Sequence, residues 1–255
     1  MLEGLVDTHC HLFLMEGQPD TMVATAREAG VEAMVCAGID PGSSRRSRDM
    51  ADSLAGVFAT AGVHPHTASE FDAAGGAAIE ELLDDPRVVA VGETGLDHYR
   101  MNSPAEDQER AFRVHCALAR ETGKPLVVHT RDAWPDVLRV LADEGAERVV
   151  LHCFSGGEAE AREAASRGYF CSFAGNVTYP NNDVLRAAAA AVPEELLLAE
   201  TDSPFLAPQE IRGRDNTPGN VARVVETLAQ IRNESAERVA QRTTDNARRA
   251  FALPR

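Results

Sequence analysis

The chain has 255 residues, 44% hydrophobic and 25% charged, a balance that fits a folded globular protein and argues against disorder. Its formal net charge of −15 excludes nucleic-acid binding through a broad basic surface, so a phosphate-bearing partner has to be met by a local cationic site or by metal ions. The five cysteines (Cys10, Cys36, Cys116, Cys153, Cys171) form no close pair, which fits a reducing compartment. The start lacks a basic, apolar leader and no apolar run reaches membrane-span length, so a cytoplasmic location without a membrane partner is expected.

In chain order, β-branched apolar runs bounded by turn residues predict strands over 4–9, 31–38, 57–64, 88–96, 125–130, 148–154, 168–175 and 196–202. Most are near-continuous apolar runs, as parallel strands buried on both faces require. Helical patterns fall between them. The first covers 19–29 and stops at Gly30. The next covers 103–122: Ser103 as cap, Pro104 at the first helical position and Glu106 three residues after the cap form a capping box, and Gly123 is the stop. Asp132 is placed to cap a helix carrying Val137, Leu138 and Leu141 on one face. Further helices are expected over 158–167, 182–191, 219–232 and 235–250. No linker divides the chain. Alternating strands and helices predict an α/β fold, a (β/α)8 TIM-type barrel in one domain over 1–255. The run Gly92-Glu93-Thr94-Gly95 lacks dinucleotide-fingerprint spacing.

Sites in such barrels lie at the C-terminal strand ends. There the sequence places His9 and His11, His64 and His66, Glu93 and Asp97, His129, His152, and Asp202; strands two and seven end blandly, in Gly38 and Gly175-Asn176. Seven of the 8 histidines lie within or just past a strand end, all but His115. Residues two apart on a strand share a face, so His9 and His11 point together. Burying so many ionisable groups is unfavourable unless something neutralises and orders them, and a divalent cation does so. His9, His11, Glu93, His129, His152 and Asp202 supply ligands enough for two ions, with Glu93, central in chain order, the natural bridge. Two ions about 3.5–4 Å apart can clamp the attacking and leaving oxygens of a hydrolysed phosphodiester.

Seven stretches, in order along the whole chain, resemble the TatD-type metal-dependent deoxyribonucleases of the amidohydrolase superfamily. They are Val6-Asp7-Thr8-His9-Cys10-His11, Gly62-Val63-His64-Pro65-His66, Val91-Gly92-Glu93-Thr94-Gly95-Leu96-Asp97, Val128-His129-Thr130-Arg131, His152-Cys153-Phe154-Ser155-Gly156, Leu198-Ala199-Glu200-Thr201-Asp202-Ser203-Pro204 and Asn246-Ala247-Arg248-Arg249-Ala250-Phe251. The resemblance implies a barrel in which His9, His11 and Asp202 hold one metal, His129 and His152 the other, and Glu93 bridges. It also implies that Asp202 accepts a proton from the nucleophilic water, and that the activity is 3′-5′ exonucleolytic on DNA with magnesium or manganese. The imidazole-rich set itself suits zinc, manganese or iron better than magnesium. The chain departs from the family pattern at His98-Tyr99, where a Tyr-Tyr or similar pair is usual. In the loop Arg212-Gly213-Arg214-Asp215-Asn216-Thr217-Pro218, Thr217 stands where the family has Glu.

The expected function is thus a divalent-metal hydrolase with Asp202 and Glu93 catalytic, acting on DNA, single-stranded by preference. An amide, a lactone or an aminoacyl ester on tRNA is the alternative bond, since the metal centre alone does not identify the substrate; a non-catalytic metal-binding barrel is the alternative class. His64, Arg212 and Arg214 are candidates for substrate phosphate, the arginines as a fork that answers the net-charge problem locally. Asp7 is a candidate partner for a ligand histidine. Asp97 and Arg131 are expected to pair with each other, Cys10 and Cys153 to point into the core, and Trp134 and Tyr179 to pack or anchor loops.

Overall fold

The computed structural model describes residues 2–254. Eight parallel strands follow one another around a single sheet in sequence order: β1 (Leu5–Cys10), β2 (Val31–Ala37), β3 (Val57–Ala61), β4 (Val88–Asp97), β5 (Leu126–Arg131), β6 (Val149–Leu151), β7 (Phe170–Phe173) and β8 (Leu197–Ala199). Past the end of β8 the chain returns to β1. The Asp202 amide donates to the His9 carbonyl at 2.9 Å and the His11 amide to that of Ser203 at 2.7 Å. The sheet is therefore a nearly closed barrel. Around it lie α1 (Pro19–Glu28), α2 (Pro41–Ser53), α3 (Ala73–Leu83), α4 (Ala105–Thr122), α5 (Trp134–Asp143), α6 (Glu158–Ser166), α7 (Asp183–Ala191), α8 (Val221–Arg232) and α9 (Ala236–Phe251).

The expected α/β barrel forms, with differences that have physical causes. Helices α2 and α3 carry no apolar period that a sequence reading detects. The buried positions of α2 are Ser43, Ser44, Ser47 and Ala51, small residues that let the helix lie close against the sheet, while α3 confines its buried Ile79, Leu82 and Leu83 to its second half. Both are started by acids: Asp40 accepts from the Ser43 amide at 2.7 Å and Asp72 from that of Gly75 at 2.9 Å. The capping box at Ser103 does not form. Helix α4 begins at Ala105, and Ser103 is buried with its hydroxyl committed elsewhere, accepting from the Ser69 amide and donating to the His66 carbonyl, each at 3.0 Å. Asp132 does not cap α5 either. Its backbone is left-handed (φ 53°) and Ala133 takes the cap position. Strands β6 and β8 are shorter than expected, ending at Leu151 and Ala199, and the chain then turns through left-handed residues at Cys153 (φ 44°) and Asp202 (φ 54°).

Packing leaves one end of the barrel for chemistry. Val6, Ala33, Val35, Ala90, Val127, Val150 and Leu198 join in one cluster with Ala247, Ala250 and Phe251 of α9. Most of these strand residues stand near the start of their strands, so α9 plugs the N-terminal end of the barrel with apolar side chains. The polar residues gather at the other end. There His115, the histidine away from any strand end, is fully buried: its Nδ1 donates to Ala111 O at 2.7 Å and its Nε2 accepts from the Val63 amide at 3.0 Å. It is a structural clamp between α4 and the segment leading to His64.

The approach of β4 to β5 is equally tight. Gly95 has φ 133°, and a Cβ there would stand 2.1 Å from the His129 carbonyl oxygen. Gly95→Ala is expected to lower stability by about 2–4 kcal/mol, read as the urea midpoint, because both the backbone conformation and the strand contact must yield. An unchanged midpoint would show that the two strands do not need this contact.

Candidate metal centre

The six expected ligands meet. On one side, His9 Nε2 and His11 Nε2 lie 3.3 Å apart and stand 3.2 and 3.8 Å from Glu93 Oε2. Asp202 Oδ1 is 3.4 Å from His11 Nε2 and 3.9 Å from His9 Nε2. On the other side, Glu93 Oε1 is 3.1 Å from His129 Nδ1 and 3.0 Å from His152 Nε2. His64 joins this second group, its Nε2 3.4 Å from Glu93 Oε1, and so lies inside the cluster and not at its rim. The groups His9–His11–Glu93, His9–His152–Asp202 and His64–Glu93–His129 each bring their ligand atoms within 4.8 Å of one another. The clusters are capable of holding divalent metal, and the two oxygens of Glu93 face different groups of imidazoles.

In three of the rings the far nitrogen decides what the near one can do, whereas that of His9, Nδ1, is buried without a partner. His11 Nδ1 donates to Ala37 O at 3.0 Å, His152 Nδ1 to Glu200 Oε1 at 3.0 Å, and His129 Nε2 faces Asp97 Oδ2 at 3.4 Å. With the proton held on that far side, a neutral ring turns a bare lone pair toward Glu93, which is the state a metal ligand needs. His64 is the reverse. Its Nδ1 accepts from the His66 amide at 3.1 Å, so its proton sits on Nε2, facing the cluster as a donor.

Without a cation, however, charge favours protons on some of these rings. Burial opposes ionisation of Glu93, yet the imidazoles of His152, His64 and His9 outweigh it and hold the carboxyl well below the usual range. Burial likewise works against Asp202, and His11 and His152 overcome it and hold this carboxyl down too. Burial would discharge His11, but Asp202 and Glu93 raise it to about 9, and Glu93 with Glu200 drive His152 well above its ordinary value against the same penalty. Protons on His11 and His152 thus supply the positive charge that Glu93 and Asp202 demand, and a cation would displace them. The donor set and its charge fit divalent metal.

This makes binding a proton exchange. At pH 7 His11 starts protonated, since its value of about 9 lies above the solution pH. Manganese uptake is expected to release about one proton or more per chain, and affinity to rise with pH up to about 9. Calorimetry in buffers of different ionisation enthalpy reads the number; a heat independent of buffer would rule the exchange out.

Two buried groups escaped the sequence reading. Glu200, fully buried, accepts from His152 Nδ1 and, at 2.8 Å, from the Cys153 amide, and so orients His152 in the cluster. Its signal was an acid two residues before Asp202 in an apolar run, where a carboxylate must find a partner. Asn216 donates to Thr201 O at 2.9 Å and Phe205 O at 2.8 Å, and anchors the loop after β8 next to Thr217. Other expectations are corrected. Asp97 does not pair with Arg131: its Oδ2 bonds His66 Nε2 at 2.7 Å and its Oδ1 accepts from the Tyr99 and Arg100 amides, while Arg131 lies over the Tyr99 ring at 4.2 Å. Asp7 touches no imidazole. It accepts from the Thr201 amide and hydroxyl and from the His9 amide, tying β1 to the segment after β8. Cys10 is buried as expected; Cys153 is half-buried. Trp134 packs on Phe154 at 4.8 Å, and the Tyr179 hydroxyl donates to Ala207 O at 3.1 Å. Arg212 lies 4.5 Å over the Tyr179 ring, and neither it nor Arg214 touches the cluster.

Residues 6–252 match the family described as TatD related DNase. The chain belongs to this family. It is 42% identical to the metal-dependent hydrolase TatD of Mycobacterium tuberculosis over 98% of both chains. It is 36% identical to the 3′-5′ ssDNA/RNA exonuclease TatD of Klebsiella pneumoniae over 92% of both. The crystal structure of the TatD homologue YjjV from Escherichia coli superposes with a TM-score of 0.94 at 28% identity, over 98% of both chains. Within the TatD family's frame, this chain is a metal-dependent hydrolase. Among its described residues no helix is long and apolar enough to cross a membrane.

Proposed function

We propose that the protein is a divalent-metal phosphodiesterase that removes nucleotides from single-stranded DNA in the 3′-5′ direction, and that the residues around Glu93 would hold two ions. The observation that carries this reading is the shared carboxylate: Oε2 of Glu93 faces His9 and His11, and Oε1 faces His129 and His152. Membership of the family and the Klebsiella relative's exonuclease name support the choice of bond and direction. His9, His11 and Asp202 would hold one ion and His129 and His152 the other. Bound there, the ions supply Lewis acidity toward the phosphoryl group and lower the pKa of water.

The chain's own residues then have separate tasks. Asp202 is held ionised, and its side chain is 14% exposed where that of Glu93 is 3% exposed. Its Oδ1 accepts the proton of the attacking water and can pass it to solvent. The left-handed backbone at Asp202, a conformation Asp tolerates better than most residues, aims that oxygen into the cluster. Glu93 stays ionised and fixes the spacing of the two ligand groups. His64, whose lowered value of about 4 comes first from burial, remains neutral and donates from Nε2 to a phosphoryl oxygen. Glu200 and Asp97 keep His152 and His129 turned inward.

The test is digestion of end-labelled single-stranded DNA with magnesium, manganese, zinc or EDTA. A ladder shortening from the 3′ end, absent with EDTA, is expected. Intact DNA with every ion, in protein shown to bind metal, would send the search to amide, lactone or aminoacyl-ester substrates.

A further inference from the structure

Among the described residues, arginine is almost always committed. Eighteen guanidinium groups reach a carboxylate or a backbone carbonyl oxygen. Five do neither: Arg46, Arg100, Arg131, Arg212 and Arg214. Arg131 ends β5, Arg100 lies in the loop after β4, Arg212 and Arg214 in the loop after β8, and Arg46 in the first half of α2, the half nearer the C-terminal end of β2. In a chain of net charge −15, free cations confined to one mouth mark where an anion is received.

Four of the five lie over aromatic rings, Arg100 the most loosely at 6.0 Å from the Tyr99 ring centre. Arg46 lies 5.2 Å from the Phe13 ring centre, Arg131 4.2 Å from that of Tyr99 and Arg212 4.5 Å from that of Tyr179. Stacking occupies the flat face of a guanidinium and leaves its N–H edge free, the edge that forks onto phosphate oxygens. The rings tie these pairs to the site. Phe13 packs on His11 at 5.8 Å, and the Tyr99 amide is held by Asp97, which also faces His129. Phe205 stands at the cluster itself, 6.0 Å from His11 and 51% exposed, with its carbonyl pinned by buried Asn216. A large aromatic ring left half in water beside ligand imidazoles has nothing in the chain to cover it.

We infer that these pairs form a track that lays a single nucleic-acid strand across the metal centre, with Arg46, Arg131 and Arg212 on separate phosphates and Phe205 stacked under an unpaired base. This rests on the phosphodiesterase reading above and adds its recognition residues. The pairs stand at β1–β2, β4–β5 and β7–β8, three separate sectors of the mouth, so one small phosphate ester cannot engage them all. A duplex keeps its bases stacked on one another and leaves none for Phe205.

The experiment is fluorescence anisotropy of a labelled, hydrolysis-resistant all-phosphorothioate oligothymidylate on manganese-loaded protein, across a salt series. The triple variant R46A/R131A/R212A is expected to bind about 100-fold more weakly at about 50 mM salt, with the slope of log K against log salt reduced by about 2. Phe205→Ala should weaken binding about tenfold and leave the slope alone. Arg131→Lys should keep the slope and still lose affinity, because charge survives and planar stacking does not. Duplex of the same length should bind more weakly than the single strand. A triple variant with wild-type affinity and slope, or a wild type that binds no strand, overturns the track. The two readings fail separately. Strand binding that needs these arginines, without cleavage of any DNA, removes the nuclease and keeps the track. Cleavage with binding indifferent to the arginines does the opposite.

Discussion

Glu93→Gln is expected to abolish hydrolysis and to lower manganese content from about two ions per chain to about one or fewer. The substitution preserves shape and removes one charge. That charge faces both groups of imidazoles, each through its own oxygen: Oε2 stands 3.2 Å from His9 and Oε1 3.0 Å from His152. An amide presents one oxygen and one N–H₂ in their place, so one side of the cluster would meet a donor where it needs an acceptor. The burial that opposes ionisation of Glu93 also means that water cannot replace it. Metal analysis after dialysis, beside circular dichroism to show that the barrel persists, measures the effect. Retention of the full metal content in Glu93→Gln would show that the clusters bind independently.

Asp202→Asn is expected to separate metal binding from catalysis. A fall of about 10³-fold in kcat is expected, the size of a lost general base, with a smaller loss of affinity for the ion on the His9–His11 side. Asp202 is the outermost carboxylate of the cluster, ionised and in reach of solvent, whereas Asn can hold a phosphate or a water but accepts no proton. Single-turnover rates at saturating metal read the chemical step directly. A variant with a near-normal rate under those conditions would assign the proton to another group.

Much of this site could be read from residue types and their period. His9 and His11, two apart at the end of an apolar run, had to share a face, and the strand ends then converged because eight parallel strands close in order. Glu93, from its central strand, could be expected to stand between the two groups of imidazoles, and it does. The less legible parts depend on contacts between residues far apart in sequence. Glu200 looks like one more acid beside Asp202, and only the fold brings it to His152. The direction of His64 follows from a hydrogen bond to the His66 amide that no spacing reveals, so the sequence names it as a candidate for substrate phosphate without showing that its Nε2 stands beside Glu93. The Asp97–Arg131 pair failed because His66 and the Tyr99 and Arg100 amides fill the carboxylate first. Helix α2 was invisible for the opposite reason: its buried face is made of serines, so it has no hydrophobic period to detect.

The central claim is that one buried carboxylate joins two metal sites, and anomalous scattering from manganese-loaded crystals tests it most directly. The account predicts two peaks, one on each side of Glu93, about 3.5–4 Å apart, one beside His9, His11 and Asp202 and the other beside His129 and His152. A single peak at full loading, or a second one that does not touch Glu93, would contradict it.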